Sequence, residues 1–132
     1  MGQQQLLLII LGVIIVGIAI AVGVSQFGAH STQANKDGVT SSLVNIGANA
    51  YQFKIRPTSM GGGGGAYDNS KGATNAYAIP SKMAADDNGT YTLVSDAPAL
   101  CTIKGTSTIN TAWSATCTID DTGRTAITFS GW

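Results

Sequence analysis

An unbroken apolar run near the start is the most distinct pattern in the sequence. Every residue from Leu6 to Val24 is apolar or glycine, in the order LLLIILGVIIVGIAIAVGV. A helix of this length rises about 28 Å, close to the hydrocarbon thickness of a bilayer. The first charged side chain is that of Lys36. The pattern therefore predicts a hydrophobic helix, placed at residues 1–27, that can cross a membrane.

Small residues interrupt the apolar run at helical spacing. Gly17 and Ala21 are four residues apart, as are Ala19 and Gly23, and Gly12 precedes them. Small residues at this spacing form faces on which two apolar helices approach closely. Glycine is also frequent in membrane helices in general. The spacing alone leaves two interpretations, a helix–helix contact and a simple membrane anchor.

The next part of the chain carries an amphipathic stripe. Its apolar residues recur at steps of four, three, four and three, which places them on one face of a helix: Val39, Leu43, Ile46, Ala50 and Phe53. Gly28, Gly38 and Gly47 each weaken the helix by about 1 kcal/mol relative to alanine, which allows a kink. Pro57 ends the pattern because it disfavours a helical conformation at Arg56. We predict an amphipathic continuation of the helix over 28–56 that packs on a sheet.

A glycine-rich loop and short strands are predicted beyond Pro57. Five consecutive glycines, Gly61 to Gly65, indicate a surface loop over 57–75. In 76–132, apolar and hydroxyl residues alternate in TYTLV, ALCTIKG, SATCTID and RTAITFSGW, with turn residues such as Asn88-Gly89 and Asp121–Gly123 between them. The predicted fold class is α+β: a long N-terminal helix, hydrophobic then amphipathic, packed on a small antiparallel sheet of about four strands with one wet face.

Charge is sparse and balanced in this sequence. Seven Lys and Arg residues stand against seven acidic residues, all of them Asp, for a formal net charge of zero. A phosphate-binding face needs clustered cations, whereas these are scattered singly. The glycine run is not followed by the Lys and hydroxyl residue of a nucleotide-binding loop. We therefore expect no nucleic-acid partner, no cofactor and no small-molecule substrate.

Two cysteines, Cys101 and Cys117, lie in separate strand-like segments. The surrounding region is rich in Thr, Ser, Asn, Ala and Gly, a composition common in secreted proteins. The sequence predicts a disulfide between them, which would close a loop of about 16 residues and contribute about 3 kcal/mol. The alternatives are a metal site, which would need further ligands, and a redox pair, which would need CxxC spacing.

No catalytic constellation is recognisable, and we expect that the protein is not an enzyme. A Ser or Cys nucleophile needs a histidine base, and the only histidine, His30, lies just beyond the apolar run. Two carboxylate pairs, Asp86 with Asp87 and Asp120 with Asp121, lie in turns, where aspartate is favoured for its bonds to the backbone. Calcium at either pair is an open alternative, although two carboxylates form an incomplete oxygen cage.

The polar region also contains candidate modification sites. Asn88 opens an N-glycosylation sequon with Gly89 and Thr90. The many threonines offer O-linked sites. Sequons arise often by chance, so glycosylation at Asn88 is a hypothesis only.

The order of these segments resembles the type IV pilins and their pseudopilin relatives. The resemblance covers the whole chain in architecture, and in sequence about the first 27 residues, ending at VSQF. Members of that family carry a Glu at the fifth mature position, which pairs with a neighbour's amino terminus. If Met1 is the mature residue, the matching position is Gln5, an uncharged amide. A cut after Gly2, which would expose Gln3, is the alternative.

The resemblance implies a structural subunit that leaves the membrane, with the help of assembly machinery, and polymerises with identical copies into an extracellular filament on the cell surface. Adhesion or motility would be its role. Packing in the filament core would fall to large apolar residues of the helix: Leu6, Leu7, Ile10, Leu11, Ile14, Ile15, Ile18 and Val22. The alternatives are an archaeal-type pilin, a minor pseudopilin of a secretion system, and a monomeric membrane-anchored surface protein that binds a ligand.

Overall fold

The fold consists of a long helix and a four-stranded sheet. The computed structural model describes residues 2–132, so Met1, one of the two candidate mature N-termini, lies outside them. Helix α1 covers Gln3–Ile55, and a short 3-10 helix follows at Thr58–Met60. The strands are β1 Gly89–Ala97, β2 Leu100–Ser107, β3 Ser114–Ile119 and β4 Thr125–Ser130. Each strand pairs antiparallel with the next. The predicted α+β class, a long helix on a small antiparallel sheet, is confirmed.

The chain divides into two compact units, residues 1–34 and residues 35–132. The described part of the first unit is almost entirely helical, and its side chains are exposed apart from one half-buried residue, Thr32. Helix α1 is helical at all three glycines that weaken it in the sequence, Gly28, Gly38 and Gly47. The second unit has a core of its own.

The core of the second unit lies between α1 and the inner face of the sheet. The stripe residues Val39, Leu43, Ile46 and Ala50 are at most 1% exposed, and Phe53 packs half-buried against them. Every second residue along the central strands is buried in the same core: Cys101, Ile103, Ala115, Cys117 and Ile119. The 3.6-residue period of the helix and the two-residue period of the strands thus bring two apolar faces together.

Gly47 lets α1 approach the sheet closely. A Cβ at this position would lie 3.1 Å from a methyl group of Thr125 and 3.3 Å from the side chain of Ile119. Since these distances are shorter than ordinary contacts, a side chain here would push the helix away from β3 and β4. Gly47 lowers the helix propensity of α1, but its lack of a side chain permits the close packing of α1 on the sheet.

The predicted disulfide is wrong: Cys101 and Cys117 are free, buried thiols. The register pairs Cys101 with Ile119, and Cys117 with Ile103. The two cysteines are therefore diagonal neighbours on adjacent strands, for which a separation of about 7–8 Å is typical. A disulfide requires Cα atoms no farther apart than about 7 Å, with Cβ atoms that point toward each other. Both thiols instead contribute to the apolar core.

The five glycines, Gly61 to Gly65, lie in the segment after the short 3-10 helix, outside any helix or strand, and cap the end of α1. The backbone N–H of Gly63 donates to the carbonyl oxygen of Phe53, and that of Gly65 to Lys54, each at 2.7 Å. Carbonyls in the last helical turn have no donor within the helix. The second and third glycines are buried, and the other three have positive φ angles. Only glycine adopts such a chain path readily.

Lys54 fastens the last turn of α1 to the turn between β3 and β4. Its ammonium group pairs with the Asp121 carboxylate and donates to the backbone carbonyl oxygen of the same residue. The Lys54 side chain is 9% exposed, and the rings of Tyr51 and Tyr67 lie 5.9 and 5.7 Å from Nζ. The Tyr67 hydroxyl donates to the carbonyl oxygen of Asp120 at 2.7 Å. The buried charge is thus paired, as burial of a cation requires.

Candidate functional site

Asp86, the first candidate for cation chemistry, is fully engaged by donors of its own chain. Its Oδ1 accepts hydrogen bonds from the backbone N–H groups of Asn88 at 2.9 Å and Gly89 at 2.8 Å, and from the Tyr91 hydroxyl at 3.1 Å. Its Oδ2 accepts from the Ser42 hydroxyl. Burial by itself raises the pKa of Asp86, but these donors together hold it below its ordinary value. The carboxylate fastens the turn before β1 to α1.

Asp120, the second such candidate, holds its own turn. Its Oδ1 accepts from the Thr122 hydroxyl at 2.7 Å and from the backbone N–H groups of Thr122 and Arg124 at 3.0 and 2.9 Å. These bonds, that of the Thr122 hydroxyl foremost, lower the pKa of Asp120. Within residues 2–132 no group of three or more His, Cys or carboxylate side chains is arranged to hold a metal ion. The calcium alternative therefore has no support in this part of the chain.

The Asn88 side chain, the candidate N-glycosylation site, lies against α1. A Cβ built on Gly38 would come 2.5 Å from the Asn88 amide nitrogen. The backbone carbonyl oxygen of Asn88 accepts a hydrogen bond from the Asn35 side-chain amide at 2.9 Å. Asn35 Oδ1 in turn accepts a hydrogen bond from the Ser107 hydroxyl at 2.6 Å. The sequon is therefore part of the contact between the helix and the segment before β1.

A cleft of about 180 Å³ lies beside Asp86, between α1 and the segment before β1. Its polar lining includes Ser42, Asn45 and Lys82, and Ile46 and Met83 are part of its apolar lining. The Ser42 hydroxyl is engaged with the carboxylate described above. This cleft is the candidate for a ligand site in the monomeric alternative.

An aromatic cluster covers the end of β4. The rings of Trp113 and Trp132 stack at 5.1 Å, and Phe129 meets Trp132 edge-on at 6.2 Å. The ammonium group of Lys36 lies 4.2 Å from the centre of the Phe129 ring. The indole N–H of Trp132 donates to the carbonyl oxygen of Ser114 at 2.9 Å. These contacts fix the residues after β4 on the sheet.

The apolar segment of α1 is exposed along its whole length. Its large aliphatic side chains from Leu6 to Val24 are between 51% and 69% exposed. Helix α1 is long and apolar enough to cross a membrane, by length and composition. Soluble monomers rarely leave contiguous apolar patches of this size in water. The expected filament-core residues lie in this surface, and so do the expected small-residue contacts.

The small residues of this segment form two stripes on different sides of the helix. At 3.6 residues per turn, Gly12, Ala19 and Gly23 lie almost in line. Gly17 and Ala21 form a second line, about 160° around the helix from the first. Gly28, which lowers helix propensity and has no apolar side chain to signal a contact, extends the second line. A Cβ added at any of the four glycines would meet open space, so their small size serves no contact within the described chain.

Gln5 occupies the first turn of α1 and is exposed. Gln3 and Gln4 precede it, so that this end of the helix offers amides and no ionised side chain. His30 is exposed near the other end of the first unit. The sequence of the first unit therefore contains no Asp or Glu.

Comparison of the chain with protein-family models, curated proteins and solved structures finds no match.

Proposed function

We propose that this chain is the structural subunit of an extracellular, pilus-like filament, which polymerises through the segment Leu6–Val24. The observation that carries the proposal is the exposure of that whole segment: none of its side chains is covered by the rest of the described chain. A surface of this kind is occupied either by lipid or by other protein. The proposal assigns it to identical copies, with lipid as a temporary environment before assembly.

Two different energies stabilise such a polymer. Against water, each large aliphatic side chain gains about 1.5–3 kcal/mol when it is buried, so a subunit does not dissociate into the medium. Against lipid, this term nearly cancels, because acyl chains are as apolar as leucine, and close van der Waals packing decides instead. The two small-residue stripes supply surfaces for close packing on more than one side of each helix. A subunit with contacts on different sides can build an open filament.

The side chains in the first turn of α1 are uncharged, and in this respect the proposed assembly would differ from that of the type IV pilins. If Met1 is the mature residue, Gln5 stands where those pilins place a glutamate, and an amide cannot neutralise a neighbour's ammonium group. Hydrogen bonds between amides and apolar packing replace the charge pair in our proposal. Assembly should accordingly depend little on salt, since screening acts on charges.

A monomeric membrane-anchored surface protein is the second candidate function. The cleft beside Asp86 favours it, because Asn45 and Lys82 offer polar groups to a ligand there. In that case acyl chains, and no second copy, would cover the apolar segment. A minor pseudopilin of a secretion system would share the first mechanism but form only short assemblies.

Photo-cross-linking in cells that make the protein separates these functions. A photoreactive phenylalanine analogue at Ile14, in the middle of the apolar segment, should yield a ladder of covalent multimers of this chain in sheared surface material. The same analogue at Lys71, an exposed loop residue, is the matched control and should give far fewer multimers. Cross-links from Ile14 to lipid alone, with the chain remaining monomeric, would favour the anchor and contradict the filament.

A further inference from the structure

The outer face of the sheet carries an ordered array of hydroxyl groups. In its middle row, Thr92 of β1 lies opposite Lys104 of β2, which lies opposite Thr116 of β3, which lies opposite Thr128 of β4. Their neighbours along each strand point into the core, because successive side chains in a strand alternate between the two faces. All four residues of the row therefore point away from α1.

The rows on either side repeat this pattern. One contains Thr90, Thr106, Ser114 and Ser130 in register. The other contains Ser95, Thr102, Thr118 and Ala126. Ten of the twelve positions in the three rows are thus Ser or Thr, and Lys104 provides the only charge. A surface with about 25–35% charged residues is the usual aim for a soluble domain, so this face carries unusually few charges.

The hydroxyls of this array are directed to the outside. Within residues 2–132, one of them, that of Thr118, donates to a protein acceptor, the carbonyl oxygen of Ala126 at 3.4 Å. The most exposed ones lie on the two edge strands: Thr90, Thr92 and Ser95 on β1, and Thr128 and Ser130 on β4. These two strands form the edges of the sheet, and their exposed hydroxyls are open to a modifying enzyme.

The side-chain amide of Asn88 lies against Gly38 of α1 and the residue is half-buried, so the sequon is less open than these hydroxyls. Binding to a flat crystalline surface is one use for regular rows of hydroxyls, but it requires that the rows lie in one plane. Adjacent strands of a sheet rotate by about 20–25°, which turns the rows out of a plane. A covalent hydrophilic coat fits better. It would provide the solubility that charged side chains provide on other surfaces.

We propose that the outer face of the sheet is an O-glycosylation surface, with attachment at the exposed hydroxyls of β1 and β4. In the transfer, the hydroxyl oxygen attacks the anomeric carbon of a nucleotide- or lipid-linked sugar phosphate. A new C–O glycosidic bond forms, the bond from the anomeric carbon to phosphate oxygen breaks, and the phosphate-bearing carrier leaves. The hydroxyl proton passes to a base of the glycosyltransferase. This inference concerns the sheet and stands independently of the filament proposal.

Mass spectrometry of the protein from the cells that make it tests this inference. The intact mass should exceed the sequence mass by whole monosaccharide residues. Mild alkaline β-elimination, which releases sugars from Ser and Thr but not from Asn, should remove the excess. Peptide mapping should then place the modified residues on β1 and β4. An unmodified mass, an excess of phosphate, or sugar confined to Asn88 would overturn the proposal.

A pair of variants makes the test specific to this face. The double substitution Thr92→Val and Thr128→Val keeps the β-branched shape that strands favour, and it should lose the added mass carried by those two positions. Thr111→Val removes an exposed hydroxyl outside the array, and it should keep the full added mass. Equal losses from both variants, or a loss only from Thr111→Val, would place the sugars elsewhere and overturn the proposal.

Discussion

Cys101 and Cys117 show how the position of a single side chain decides its chemistry. Both thiols are fully buried, and burial raises the pKa of Cys101 to about 12 and that of Cys117 to about 11. Since the thiolate is the nucleophile, neither residue should react in the folded protein at neutral pH. We predict no alkylation by iodoacetamide in the native state and two alkylated cysteines after unfolding without reductant. Protection that persists in denaturant until a reductant is added would show a disulfide and contradict the structure.

Asp86 links the pH dependence of stability to one carboxylate. Its pKa is lowered in the folded state, so its contribution is present above the unfolded-state value of about 3.9 and is lost as pH falls through the folded-state pKa. Asp86→Asn should lower the unfolding free energy at pH 7 by about 1 kcal/mol, a modest value because the carboxylate is partly open to water. The deficit should shrink as pH falls below about 4.

Thermal unfolding in detergent, followed by near-UV circular dichroism, measures this effect. Asp87→Asn is the matched control, because the neighbouring carboxylate makes no side-chain hydrogen bond in the described part of the chain. It should change stability by less than about 0.5 kcal/mol. A deficit for Asp86→Asn that is unchanged between pH 7 and pH 3 would show that its charge is not the cause.

At the scale of elements, the glycine run is a cap that other residues cannot form. A Cβ at Gly63 would collide with the carbonyl group of Ala66, so Gly63→Ala should destabilise the second unit by about 1–3 kcal/mol. Gly28→Ala is the opposite control: its Cβ meets open space, and it should leave the helix unchanged or strengthen it by up to about 1 kcal/mol. Equal unfolding midpoints for both variants would refute the capping role.

The small-residue stripes of α1 make a second prediction at this scale. Gly17→Leu should hold neighbouring helices apart and reduce the yield of sheared filaments about tenfold, which corresponds to about 1.4 kcal/mol. Val13→Leu adds a methylene to the same segment outside the two lines, and it should assemble almost normally. Quantitative immunoblots of sheared and membrane fractions give the ratio. A normal yield from Gly17→Leu would exclude close packing at this stripe.

Elements were predictable from sequence where their pattern is local. The stripe from Val39 to Phe53 and the alternation in the four strands follow from the period of each element. The glycine cap was not predictable, because its partners are carbonyls about ten residues earlier in the chain. The free state of Cys101 and Cys117 depends on strand register, which the sequence leaves open. The hydroxyl rows likewise become a surface only once that register aligns them.

At the scale of the whole molecule, a folded unit with its own core is joined in the same chain to an apolar helix that nothing in the described chain covers. The first needs no partner to bury its apolar residues, whereas the second does. Sequence patterns identified both features, because each depends on runs of adjacent residues. The partner that covers the apolar helix is a separate molecule, so sequence patterns do not identify it. Our central claim is that identical copies of this chain cover it.

Electron cryomicroscopy of filaments sheared from cells that make the protein tests that claim most directly. We predict a helical reconstruction in which the Leu6–Val24 segments of neighbouring subunits touch in a core free of lipid, with the small-residue stripes at the closest approaches. Absence of this chain from any filament, with the protein recovered only as monomers in membrane fractions, would contradict it.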